Sequence, residues 1–153
     1  MSLSTAIATI EPSRMAPGYS WLRVYFYSFA PTADDVAEAT RGSVASMDQR
    51  WQSKSSNPSE YNSSRAVLQL TLDRDHRITQ ADLSLPGHTC TVASTASELG
   101  AFAQSFVLDA NRVRLASKNT YVCDMTSTGA GRQSFAWNID VDVPVFAKAA
   151  GAR

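Results

Sequence analysis

Between Phe135 and Phe146 large apolar residues fall on every odd position: Phe135, Trp137, Ile139, Val141, Val143 and Val145. The even positions are small or polar: Ala136, Asn138, Asp140, Asp142 and Pro144. Side chains alternate faces along a strand, so a period of two predicts one dry face and one wet face. A strand wetted on one side belongs to an antiparallel sheet, and no other segment constrains the fold class as much. Pro144 removes a ladder donor, and the paired carboxylates Asp140 and Asp142 discourage pairing from outside. Together they predict that this strand lies at an edge.

Tyr19–Phe29 is a strand of a different kind. Trp21, Arg23, Tyr25 and Tyr27 share one face, and Leu22, Val24, Phe26 and Ser28 share the other. Both faces are largely apolar or aromatic, which predicts cover on both sides. Thr32 with Asp34 and Asp35 reads as a helix start. Val36, Thr40, Val44, Met47 and Trp51 then form one apolar stripe of a helix reaching Gln52, interrupted by Gly42. The polar run Ser53–Ser64 reads as a loop.

After Arg65 the pattern is a succession of short strands: Ala66–Leu72, Arg77–Leu85, His88–Ala93, Phe106–Leu108, Arg112–Ala116 and Thr120–Met125. Turns are predicted at Asp73–His76, Pro86–Gly87, Asp109–Asn111 and Ser117–Asn119. Ile78 is out of phase with Ala81, Leu83 and Leu85, and a bulge at Thr79 or Gln80 reconciles them. Thr95-Ala96-Ser97-Glu98 is a capping box opening a short helix with Leu99, Phe102 and Ala103 facing inward.

The chain has 153 residues, one domain's worth at about 100–200 residues per domain. Residues 1–18 read as an N-terminal arm and 19–150 as a single α+β domain. Its antiparallel sheet, of about seven to eight strands, must either curl around one main helix or close into a calycin-like barrel.

Charge narrows the partners. Fourteen basic residues balance 14 acidic ones, so no basic excess points to nucleic acid. Arginine outnumbers lysine 11 to 3, which favours planar and stacked polar contacts. No apolar run approaches the roughly 20 residues that span a bilayer. Met1–Gly18 lacks the basic and apolar regions of a secretory signal. A soluble cytoplasmic protein is expected, or a secreted or periplasmic one if a signal peptide has been removed. Cys90 and Cys123 are the only cysteines, and in a cytoplasmic protein they read as free, buried thiols. A disulfide between them would instead add about 3–4 kcal/mol in the chain-entropy picture.

Few constellations carry chemistry. His88 and Cys90 share a strand face and offer a base beside a thiol, but nothing completes a catalytic set. Asp73, Asp75 and His76 offer metal-ligating atoms, yet at the spacing of an ordinary hairpin turn and without the rest of a calcium loop. Asp140 and Asp142 form a candidate acid/base or cation pair, with a solvated strand face as the plainer explanation. No G-x-S-x-G, Walker, dinucleotide or H-E-x-x-H motif is present. Neither a metal nor a cofactor is expected.

The aromatic strand is the strongest candidate site. Trp21, Tyr25, Tyr27, Trp51 and Trp137 are expected to line a pocket in the concavity of the sheet, with Arg23 anchoring an acidic group. The expected function is non-enzymatic binding of a small apolar or aromatic ligand. Two alternatives stand beside it. One is an oligomerising or adaptor module, including a homo-oligomer, that uses the aromatic strand as an interface. The other is a small lyase, isomerase or hydrolase of an apolar substrate acting through His88 or the Asp140/Asp142 pair.

Overall fold

The structure, a computed structural model, describes residues 5–27, 65–85, 88–125 and 131–147. The elements in chain order are β1 (Thr5–Pro12), β2 (Ser20–Tyr27), β3 (Arg65–Leu72), β4 (Ile78–Leu85), β5 (His88–Ala93), α1 (Ala96–Phe102), β6 (Ser105–Asp109), β7 (Arg112–Met125) and β8 (Gly131–Ala147). The predicted main helix, Thr32–Gln52, and the polar run after it lie outside the described residues.

The eight strands form one sheet in the order β5-β4-β3-β2-β1-β8-β7-β6. It consists of two antiparallel meanders, β1 to β5 and β6 to β8. They meet where β1 and β8 run parallel, Ala8–Ile10 opposite Val145–Ala147. The sheet is therefore mixed, not purely antiparallel as expected, and it curls into a half-barrel. The parallel joint also overturns two finer expectations. Residues 5–12 are an interior strand between β2 and β8, not an arm. The closing strand is interior too, between β1 and β7. Pro144 is tolerated there because the β1 ladder begins only at Val145.

The concave face carries the core. Leu22, Val24 and Phe26 of β2 stand opposite Ile10, Ala8 and Ala6 of β1 and opposite Leu70, Leu68 and Ala66 of β3. Val113, Leu115, Val141 and Val145 continue this face across the second meander. Leu22, Leu68, Leu70 and Leu72 are completely buried, and each such side chain contributes about 1.5–3 kcal/mol of burial.

Helix α1 closes the lower part of the concavity. Thr95 Oγ1 accepts from the Glu98 N–H, and the Glu98 carboxylate accepts from the Thr95 N–H, so the predicted capping box forms. Phe102 enters the core, with Leu99 and Ala103 packed beside it. Strands β5 and β6, consecutive in sequence, lie at opposite edges of the sheet, and α1 spans the gap between them. No helix among the described residues is long and apolar enough to cross a membrane.

Local details follow the sequence closely in the first meander. The β3–β4 pairing shifts register after Thr71, where Gln80 is followed by a step to Ile78, so Thr79 is the bulge residue. The Asp73 carboxylate accepts from the N–H groups of Asp75 and Arg77, both at 2.9 Å, and fixes the predicted turn. Between β1 and β2, Gly18 has φ +85°, a left-handed backbone conformation that favours glycine. The second meander departs more. Ser117–Asn119, expected as a turn, lies inside the continuous 14-residue strand β7, which pairs with β8 from Arg112↔Pro144 to Met125↔Gly131.

Candidate functional site

The sheet separates the residues that sequence reasoning grouped into one pocket. Trp21, Arg23, Tyr25 and Tyr27 are the odd positions of β2, on the convex side. Trp137 has the parity of Val141 and Val145, whose neighbour Ala8 faces the concave side. One layer of backbone therefore lies between the two groups. Trp51 falls outside the described residues.

On the convex side Arg23 is already engaged. Its guanidinium pairs with Glu11 of β1, its Nε donates to Gln69 Oε1 of β3 at 2.8 Å, and it lies 5.1 Å from the Trp21 ring centroid. The three strands deliver these partners by register, since Arg23 sits directly opposite Gln69 and diagonal to Glu11, which is next to its β1 partner Thr9 on the same face. A carboxylate from the same chain thus occupies the role expected of an acidic ligand. On the same face Tyr25 and Tyr27 are buried, at 5% and 0% exposed, while Trp21 and Arg23 stay partly exposed.

On the concave side Trp137 is the centre of a cluster built from three elements. Its ring is 6.1 Å from Phe102 at the end of α1 and 6.4 Å from Tyr121 of β7, both tilted, within the range of favourable aromatic pairs. Its Nε1–H donates to Ser117 Oγ at 2.8 Å, and Ser117 Oγ donates in turn to the Phe102 carbonyl. Ser117 is buried, and this relay satisfies its hydroxyl and one of the last carbonyls of α1. Trp137, Tyr121, Ile139, Leu83, Leu85 and Cys90 remain only partly buried on this face. The arrangement offers aromatic and aliphatic surface whose one indole N–H already has its acceptor.

Cys90 of β5 and Cys123 of β7 are joined in a disulfide with Cα atoms 6.0 Å apart, which overturns the expectation of free thiols. The curl of the sheet brings an edge strand of one meander against the middle strand of the other. The bond also removes the Cys90/His88 nucleophile pair, because a disulfide sulfur is no thiolate. For His88 the structure places the backbone, opposite Leu85.

The remaining candidates lie in a turn or on the wet face of β8. His76 is exposed in the turn with φ +58°. Asp140 and Asp142 are exposed on the wet face of β8, as expected. The Arg112 guanidinium holds the Asp142 carboxyl below its ordinary range by a hydrogen bond. No group of three or more His, Cys, Asp or Glu able to hold a metal ion occurs among the described residues.

Comparison with known proteins adds no family. No family model, curated protein or solved structure matches this chain.

Ser117, Tyr121 and Phe102 joined the site without being named for it in the sequence. Phe102 and Tyr121 carried a signal as inward-facing positions of a capped helix and a strand. Ser117 carried none, since Ser-Lys-Asn reads as a turn until the full β7 ladder is known.

Proposed function

We propose that the protein binds a small apolar or aromatic molecule against the concave face of the sheet, at the height of Trp137. The observation that supports this reading is the state of that side chain. Its indole N–H is satisfied by Ser117, its ring packs against Phe102 and Tyr121, and the residue is still only partly buried. Further partly buried apolar side chains, Leu83, Leu85 and Ile139, belong to the same face. Ligand sites of this type combine preformed apolar walls with few polar groups. The disulfide favours an oxidising compartment as the place of action. Among the sequence-level candidates, Trp137 is the residue that this reading retains.

The test is titration with the environment-sensitive probe 1-anilinonaphthalene-8-sulfonate, read by fluorescence and by native mass spectrometry. Saturable one-to-one binding is expected, weakened at least tenfold by Trp137→Ala and unchanged by Trp21→Ala. Absence of saturable binding, or equal loss in both variants, would overturn the reading.

A further inference from the structure

The β7–β8 ribbon is anchored unevenly along its length. At its lower end β6 pairs with Arg112–Ala116, and β1 pairs with Val145–Ala147. Just above, Gln104 Oε1 accepts from the Lys118 N–H at 2.6 Å, and the Trp137–Ser117–Phe102 relay ties both strands to α1. Higher still, Asn119–Met125 and Gly131–Ala136 pair as strands only with each other among the described residues. At that height a covalent bond, Cys90–Cys123, joins the ribbon to β5. A two-stranded ribbon is at best marginally stable by itself. Apart from the packing of Tyr121 on Trp137, its upper half therefore depends on this cross-link in a way that its lower half does not.

We infer that the disulfide is a redox latch that holds the upper ribbon against β5, and that its reduction opens this end of the concave face. Cys123 is buried while Cys90 is partly exposed, so the two sulfurs are not equivalent. A thiolate of an external dithiol attacks Cys90 Sγ. The sulfur–sulfur bond breaks, and Cys123 Sγ leaves as a thiolate and takes up a proton. The second thiol of the dithiol, as thiolate, then attacks its own partner sulfur in the mixed disulfide and releases Cys90 as a thiolate, which is also protonated. The protein gains two electrons and two protons, and the dithiol becomes a disulfide. The anchors at Lys118, Ser117 and Trp137 remain, so the ribbon pivots above them while the core below stays folded. Local opening of this kind is the ordinary behaviour of weakly anchored segments. The latch stands independently of what the concave face binds.

Hydrogen exchange by mass spectrometry tests it, on the oxidised protein, on the same protein with dithiothreitol, and on the double variant Cys90→Ser/Cys123→Ser. Peptides within Asn119–Met125 and Gly131–Ala136 are expected to exchange at least tenfold faster after reduction, with β2 and β3 unchanged. An unaltered ribbon would show the bond to be passive. Equal acceleration in β2 and β3 would make it a staple of the whole fold. The dithiothreitol arm decides the matter even if the double variant fails to fold. Trapping with glutathione tests the direction of attack: the adduct is expected on the Cys90 peptide, and an adduct on Cys123 would overturn it.

Discussion

Strand β2 presents two buried faces that are stable for different reasons. Its concave face, Leu22, Val24 and Phe26, is dry and aliphatic or aromatic, and meets residues of the same kind on β1 and β3. Its convex face buries Tyr25 and Tyr27 but also holds Arg23 between Glu11, Gln69 and the Trp21 ring. The first face is stabilised by area and close packing. The second depends on polar groups finding each other, because a half-buried guanidinium without a partner costs free energy. An arginine among aromatic residues is thus no sign of a waiting ligand when the neighbouring strand supplies its carboxylate.

The contrast predicts a graded series of effects. The largest is expected on the dry face, where Leu70→Ala removes a completely buried side chain and should cost about 2–5 kcal/mol in urea unfolding. A loss below about 1 kcal/mol would mean that the concave face is loosely packed. On the polar face, Glu11→Ala should cost about 1–3 kcal/mol by removing the carboxylate that pairs with the half-buried Arg23. The double variant Glu11→Met/Arg23→Met should recover much of that loss, since the pair disappears as a unit. If the double variant is as unstable as the sum of its parts, the two side chains are not coupled. Thr95→Ala, which breaks the capping box of α1, should cost about 1 kcal/mol.

The smallest expected effect is on pH dependence, and it lies outside both faces. The Glu98 carboxyl is held below its ordinary range by the N–H groups of Ser94 and Thr95 and by the Thr95 hydroxyl. A carboxyl whose pKa is lower in the folded state stabilises above its unfolded value, and that contribution fades as pH falls through the folded value. Melting temperature should therefore decline slightly as acid protonates Glu98 and Asp142, whose shift has the same sign. A thermal melt series from neutral to acid pH should show a shallower decline in Thr95→Ala. An identical slope in both proteins would separate the cap from the acid response.

How far the fold was legible depended on how local each signal was. The period of β8, the two-sided burial of β2, the bulge at Thr79 and the Thr95–Glu98 cap are set by residues a few positions apart, and all were readable in the sequence. The parallel joint of β1 with β8 and the bond between Cys90 and Cys123 join distant segments, and neither leaves a local pattern. The candidate site suffered from the same limit. Parity along β2 correctly grouped Trp21, Arg23, Tyr25 and Tyr27, but parity carries no information about which face of one strand matches which face of another. Register supplied that link, and it placed Trp137 on the other side of the sheet. Ser117 was hidden for a related reason: polar residues inside a long ribbon look like a turn when read alone.

The parallel joint between β1 and β8 also bears on how this chain finds its fold. The second meander is built from neighbours in sequence and can form through short loop closures, which are fast, whereas in the first β2 and β3 pair across the long connection of residues 28–64. The joint links strands at opposite ends of the described sequence through a ladder of only Ala8–Ile10 with Val145–Ala147. Closing so long a loop for so few hydrogen bonds is entropically unfavourable until the apolar faces of both meanders are ready to merge. On a ribosome, the first meander must wait with an unpaired β1 edge until the last strand has emerged.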